Sequence, residues 1–355
     1  DFLPVWAQKG YLLDLRPYVE ADLDRGTIDD WDAAKYHSFF TRSGLQYALP
    51  KYHGALALLY NKDIFDEAGV DYPDGGWGHD DYLRAMRLLS IDHDNDGRID
   101  RWGSMLDISW ERLQVHVNGW GGHFVDPGDP ARSWMARPES LAAMEWIRAR
   151  MWDDHVMASS LDVQNVEPRK AFIDQRLAMV EEGSWALKDI LDGAPFRIGA
   201  APLPAGLDRR VTLATTDGFA IYAGTEHPEA AWELLKFLVG PEYGRAMARD
   251  ELLQPARASL VEEWAAMIRN QYPKQTRGLD LAAPGLRPVS IHFLSLLSTA
   301  CVTRGWAGRD NAALTEPTSS HTNGLKTRRV SPVGARCVSP LFDWKRVRHL
   351  ITELV

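Results

Sequence analysis

The chain has 355 residues, with 45% hydrophobic and 25% charged side chains and a net charge of −9. These are the proportions of a globular protein with one large or two medium domains. The acidic balance argues against nucleic acid as a partner, and no apolar run reaches the length of a membrane span.

Taken in chain order, "FLPVWAQKGYLLDLRPYV" (2–19) predicts a helix stopped at Gly10. "LQYALPKYHGALALLYNKDIF" (45–65) predicts two short apolar strands, separated by a loop at Lys51–Gly54 after Pro50. "NKDIFDEAGV" (61–70) predicts a short helix closed by Gly69. "DDYLRAMRLLSI" (80–91) predicts an amphipathic helix with Asp80 as N-cap. Helices are further predicted over 109–119, 138–154 and 167–177. "AMVEEGSWALKDIL" (178–191) predicts strand, turn at Gly183, then helix. Strands over 196–204 and 215–224 precede helices over 227–239, 241–251 and 258–270. Short strands alternating with longer helices predict an α/β architecture.

Between two of these elements lies "DHDNDGRIDRWG" (92–103). It places Asp92, Asp94 and Asp96 at positions 1, 3 and 5 of a calcium loop, Gly97 at 6, the Arg98 carbonyl at 7 and Asp100 at 9. Position 12 is Gly103, so the usual bidentate Glu is missing. One structural Ca2+ of extracellular-range affinity is expected, with a solvated Asp/Gly turn as the alternative. A calcium sensor is disfavoured, because "DPGDP" (126–130) has the wrong spacing for a second loop.

The last 70 residues differ in character. From Leu286 to Val355 ten basic residues face four acidic ones, whereas the rest of the chain carries 30 against 45. "TEPTSSHTNGLKTRRVSPVGARCVSP" (315–340) shows no helical or strand period and predicts a disordered or non-native tail over 315–355. Cys301 and Cys337 are the only two cysteines, which excludes a disulfide framework and a Cys-rich zinc site.

The order of segments carries a resemblance. "YALPKYHGALALLYNKDIFDEAGV", "GWGHDDYLRAM", "NGWGGHFVD", "AFIDQRLAMVEEGSWAL", "GAAPLPAG", "HPEAAWELLKFLV" and "LLQPARASL" follow one another as in the family 1 extracellular solute-binding proteins of ABC importers, the maltose-binding-protein type. "VTRGWAGRDNAAL" (302–314) adds a fainter match. Gln175 stands where that family usually has Gly. The resemblance implies a two-lobe α/β periplasmic-binding-protein fold, type II-like, with the ligand in the cleft between lobes. Carried over, residues 1–59 and 215–253 form the first lobe, and 60–214 and 254–314 the second. The chain would cross between them near Leu58–Asn61, Thr215–Ile221 and Gln254–Arg257. It begins "DFLPVWAQKGYLLDL", without an initiator Met or a leader. About 60 to 100 residues of the family's first lobe are therefore expected to precede it.

The implied ligand is a carbohydrate, the implied partner the membrane permease of an ABC importer, and the expected state a monomer, periplasmic or anchored at the cell surface. Trp is a flat, amphipathic platform on which a sugar's C–H face can stack. The chain has 14. Trp185, after a strand end and Gly turn, corresponds to a sugar-stacking position; Trp110 and Trp120 are further candidates. Asn118, Tyr52, His53, Asp217 and Arg257 are candidate polar contacts. Trp6, Trp31, Trp146, Trp152 and Trp232 are assigned to packing. No HExxH, GxSxG, P-loop or dinucleotide-binding motif occurs. The runner-up reading is a secreted, calcium-dependent polysaccharide hydrolase using Glu181 or Glu182, whose apolar setting beside Trp185 would raise a carboxyl pKa.

Overall fold

One long strand organises the molecule. In the computed structural model, which describes residues 3–41, 43–129 and 131–279, β1 runs unbroken from Leu49 to Asn61. Its first half, Leu49–Ala55, pairs antiparallel with β6 (Ala214–Phe219). Its second half, from Leu56, pairs antiparallel with β4 (Met179–Gly183) on one side and with β5 (Ile198–Ala201) on the other. A short parallel pair, β2 (Ser104–Met105) and β3 (Met157–Ala158), completes the strands among the described residues.

The expected loop at Lys51–Gly54 does not exist. Pro50 sits where the register of β1 against β6 shifts, a place in a ladder that tolerates a residue without an N–H. Gly54 is a strand residue because there is no room for more. A Cβ there would stand 2.3 Å from the Tyr52 hydroxyl and 2.5 Å from the Thr215 hydroxyl. Both residues punctuate the sequence like a turn, yet they accommodate a bulge and a close approach.

The change of partner in β1 divides the core. Leu15, Val19, Trp31, Tyr36, Leu49, Ile221, Trp232 and Leu235 pack together as the first lobe. In the second lobe the sheet is covered on both faces. Leu58 and Tyr60 point to a cluster with Phe65, Tyr82, Met86 and Ile147. Leu59 and Val180 point to the opposite cluster with Phe172, Ile190, Trp264 and Ile268. This is the period-2 alternation of a strand with helices on each side. The fold is therefore two α/β lobes, as the segment order implied.

The expected lobe boundaries need adjustment. The switch falls at Ala55/Leu56 rather than after residue 59, because the β6 ladder ends there. Ala248 and Leu252 pack in the second lobe, and Ala256 in the first, the reverse of the division expected at 253/254. The segment 280–314, the tail 315–355 and both cysteines lie outside the described residues.

Helices appear where the apolar spacing placed them, with shifted ends. The helix expected from Asp80 is His79–Leu89, and its N-cap is Gly78. Asp81 caps it by accepting the Gly78 N–H at 3.0 Å, so Asp80 is not the capping residue. Gln175 adopts φ +60°, the left-handed conformation for which a glycine is the usual choice. The helix Pro168–Ile173 consequently stops well before residue 177. Of the tryptophans assigned to packing, Trp31 and Trp232 are buried in the first lobe and Trp146 and Trp152 pack against the second-lobe core. Trp6 is 47% exposed. No helix among the described residues is long and apolar enough to cross a membrane.

Candidate functional site

Where β1 passes from one lobe to the other, the lobes face each other across a cleft of about 590 Å³. Tyr52, Thr215 and Asp217 line it from the first lobe, and Asp107, Ser109, Glu111, Arg112 and Trp185 from the second. That volume is within the usual range for small-molecule sites.

Trp185 reaches the cleft because β4 ends at Gly183 and one 3-10 turn, Ser184–Ala186, follows. The half-buried indole lies directly over Gly183. A Cβ on Gly183 would stand 2.2 Å from the ring, so the close approach requires glycine there. Ser184 Oγ accepts the Ala55 N–H at 3.3 Å and ties this turn to β1. From the other lobe, Tyr52 points its hydroxyl to Thr215 Oγ1 at 3.5 Å. Burial pushes the Tyr52 phenol up to about 12, so it stays a neutral donor. Asp217 stands opposite Tyr52 on β6 with its carboxylate exposed, 4.0 Å from Lys51 Nζ.

Beneath the cleft lies a layer of buried charge that sequence reasoning missed. Arg112 donates to Glu182 Oε1 at 2.8 Å and also bonds Asp107. Glu182 Oε1 in addition accepts the Gly183 N–H at 2.8 Å. Arg169 bridges Glu182, at 3.4 Å, and Asp189, at 2.5 Å. One helical turn after Arg112, His116 Nε2 meets Glu181 Oε2 at 2.9 Å. His116 Nδ1 is 3.4 Å from His79 Nε2, and His79 Nδ1 donates to the Ala205 carbonyl at 2.8 Å. The Arg112–Glu182 ion pair and the His116–Glu181 hydrogen bond, from positions i and i+4 of one helix, thus fasten Trp110–Gly119 to consecutive residues of β4. Burial pushes the Glu181 carboxyl up. His116, His79 and Arg112 together outweigh it and hold the group below its usual value.

This corrects the runner-up reading. Glu181 does not have the raised pKa of a general acid, and both it and Glu182 are buried and hydrogen-bonded, to His116 and to Arg112. The remaining candidates fall away from the cleft for identifiable reasons. His53 neighbours Tyr52 in a strand and so points to the other face; it is buried, and desolvation with Lys35 nearby pushes it down to about 2. Arg257 lies over the Trp31 ring, 4.7 Å from its centroid. It donates to Val239 O at 2.9 Å and Asp30 Oδ2 at 3.3 Å, knitting the first lobe. Trp120 packs on His79 and Trp146, with centroids 5.5 and 6.5 Å away, inside the second lobe. Asn118 is buried in the last turn of its helix, away from the cleft lining. Trp110, 43% exposed, starts that helix; its neighbours Ser109, Glu111 and Arg112 line the cleft instead.

In the Asp-rich loop, oxygens of Asp92, Asp94 and Asp100 converge within 4.8 Å of one another; Asp96 is not in that group. Asp96 instead accepts the Arg98 N–H at 2.8 Å. Asp92 Oδ2 accepts the Gly97 N–H at 2.9 Å, while its Oδ1 is buried without a hydrogen-bond partner.

Two α/β lobes joined by a shared strand, with an aromatic and polar cleft between them, are the architecture of the periplasmic-type binding proteins. This chain belongs to the bacterial extracellular solute-binding protein family, whose model matches residues 1–245. It is 23% identical over 244 residues to a binding protein of Brucella abortus, covering 67% of this chain. It is 24% identical over 257 residues to the maltotriose-binding protein of Pyrococcus abyssi, covering 70% of this chain. It spans 58% and 51% of those two proteins' lengths. Its fold is shared with an ABC substrate-binding protein of Listeria monocytogenes solved in complex with cycloalternan. There the TM-score is 0.67 at 22% identity, covering 79% of this chain and 71% of that one.

Proposed function

We propose that this protein captures a sugar or oligosaccharide between its lobes and hands it to the permease of an ABC importer, as a monomer held in the periplasm or anchored at the cell surface. The observation that carries the reading is Trp185, presented over a glycine at a cleft whose opposite wall offers Tyr52, Thr215 and Asp217. An aromatic face with hydroxyl and carboxylate groups opposite is the chemistry a sugar requires. Contacts from both lobes to one ligand favour the closed state, so binding would drive a hinge motion about β1. The names of the relatives, a maltotriose-binding protein among them, support the same ligand class.

Isothermal titration against a panel of oligosaccharides tests this. Trp185→Ala is expected to weaken binding by about 1–3 kcal/mol, the scale of a buried aromatic contact. Unchanged affinity would remove Trp185 from the site.

A structural Ca2+ held by Asp92, Asp94 and Asp100, with Asp96 and the Arg98 carbonyl nearby, is part of the proposal. The buried, unpartnered Asp92 Oδ1 and the convergence of three carboxylates support it. Chelation should then lower Tm by several degrees while leaving sugar affinity alone; an unchanged Tm would make the loop an ordinary turn.

A further inference from the structure

We infer that the cleft sorts glycans by charge, admitting uncharged and amine-bearing sugars and rejecting those that carry a carboxylate or phosphate. The inference rests on the sugar-binding reading above and adds a selection rule to it. Three acidic side chains, Asp107, Glu111 and Asp217, line the cleft, and they come from both lobes. Arg112 is the one basic side chain among the described lining residues.

Arg112 is not available as an anchor for an anion. One terminal nitrogen bonds Asp107 and the other donates to Glu182 at 2.8 Å; Nε has no hydrogen-bond partner but is itself buried, and the side chain is only 13% exposed. Recognition of a carboxylate or phosphate by arginine uses a free edge of the guanidinium fork, and both terminal nitrogens are committed. Lys51, which is not among the lining residues, has its Nζ 4.0 Å from Asp217 Oδ2.

An acidic sugar would therefore bring negative charge beside three acidic side chains and find no uncommitted cation at its base. Closure of the lobes would remove the water that screens this repulsion. A neutral sugar meets none of it, because carboxylates accept hydroxyl hydrogen bonds. An ammonium group gains charge-assisted bonds to the same carboxylates and can lie over the Trp185 face.

The test uses the neutral oligosaccharide that binds the full chain best in the titration panel. The same sugar is then prepared with one C6 hydroxyl oxidised to a carboxylate and, separately, replaced by an amine. The carboxylate form is expected to bind at least tenfold more weakly than the neutral form, and the amine form at least as tightly. In the double variant Glu111→Gln, Asp217→Asn the carboxylate penalty should shrink at least threefold as a ratio, whatever happens to neutral affinity. A carboxylate form within threefold of the neutral one overturns the inference. So does a penalty that persists unchanged in the double variant, which would mark it as steric. If no sugar in the panel binds, the sugar-binding reading itself fails, and the selection rule with it.

Discussion

Glu181→Ala is expected to cost about 3–5 kcal/mol of folding stability, read as a fall in the urea midpoint at constant slope. The carboxylate is buried, and its partner His116 is buried against it at 2.9 Å. Removing one member of such a pair leaves the other's polar ring desolvated and unmatched, which costs more than the pair contributes over an apolar substitute. The same reasoning fixes the control. Replacing both partners, Glu181→Leu with His116→Leu, should be less harmful than the sum of the single changes, because neither member of the pair is left facing an empty place and only His79 Nε2 loses its contact to His116. If Glu181→Ala does not fold, Glu181→Gln keeps the shape and one hydrogen bond and should show a smaller loss in the same direction. A single variant within 1 kcal/mol of the parent would mean that the helix Trp110–Gly119 is not fastened this way. The consequence for the cleft is direct, because Arg112 rides on that helix one turn before His116.

The sequence made the fold readable because the segments that carry the resemblance are local runs, each interpretable from apolar spacing and turn residues. The errors cluster where a local signal had a non-local cause. Pro50 and Gly54 looked like loop punctuation, yet one sits at a register shift and the other yields to the Tyr52 and Thr215 hydroxyls. That mistake hid the strand period. With a loop at 51–54, Tyr52 and His53 could both face the cleft; in a strand only one can. Gln175 stood out as a departure from the family's glycine, and its φ of +60° shows that the backbone shape is kept without the glycine.

At the site, Tyr52, Asp217 and Trp185 are brought together, and their segments were the ones singled out. The helix beginning at Trp110 was also singled out, and it is Glu111 and Arg112 of that helix that line the cleft. Arg112 carried no local signal at all. Its partner Glu182 is 70 residues away in the chain, and the pairing exists only once β4 and the helix are packed. Arg257 has the complementary history. A polar residue after a proline at an expected crossing looked like a ligand contact, but Trp31 and Asp30, more than 220 residues earlier, already hold it.

Acid should unfold the protein well before its carboxylates are all protonated, and two histidines set the slope. Burial pushes His53 down to about 2, with Lys35 adding to it, and pushes His79 down to about 4, with His116 the next cause. An ordinary unfolded histidine titrates near 6.5. Below that pH the unfolded chain gains a proton at each site while the folded chain does not, so unfolding becomes easier as pH falls. Each histidine contributes up to about 1.4 kcal/mol per pH unit, His79 until about pH 4 and His53 further still. Between pH 6.5 and 4 the two together remove about 5–7 kcal/mol, comparable to the whole stability of many domains. Glu181, held below its usual value, acts in the same direction. Its contribution is present above the unfolded carboxyl value of 4.5 and is lost as pH falls through the lower folded one. Urea midpoints at pH 7, 5.5 and 4.5 should therefore drop steeply, and His53→Gln should remove about half of the slope between the first two histidine-dominated points. A midpoint flat from pH 7 to 5, or a slope unchanged by His53→Gln, would show that His53 takes up its proton in the folded state and is not enclosed behind β1.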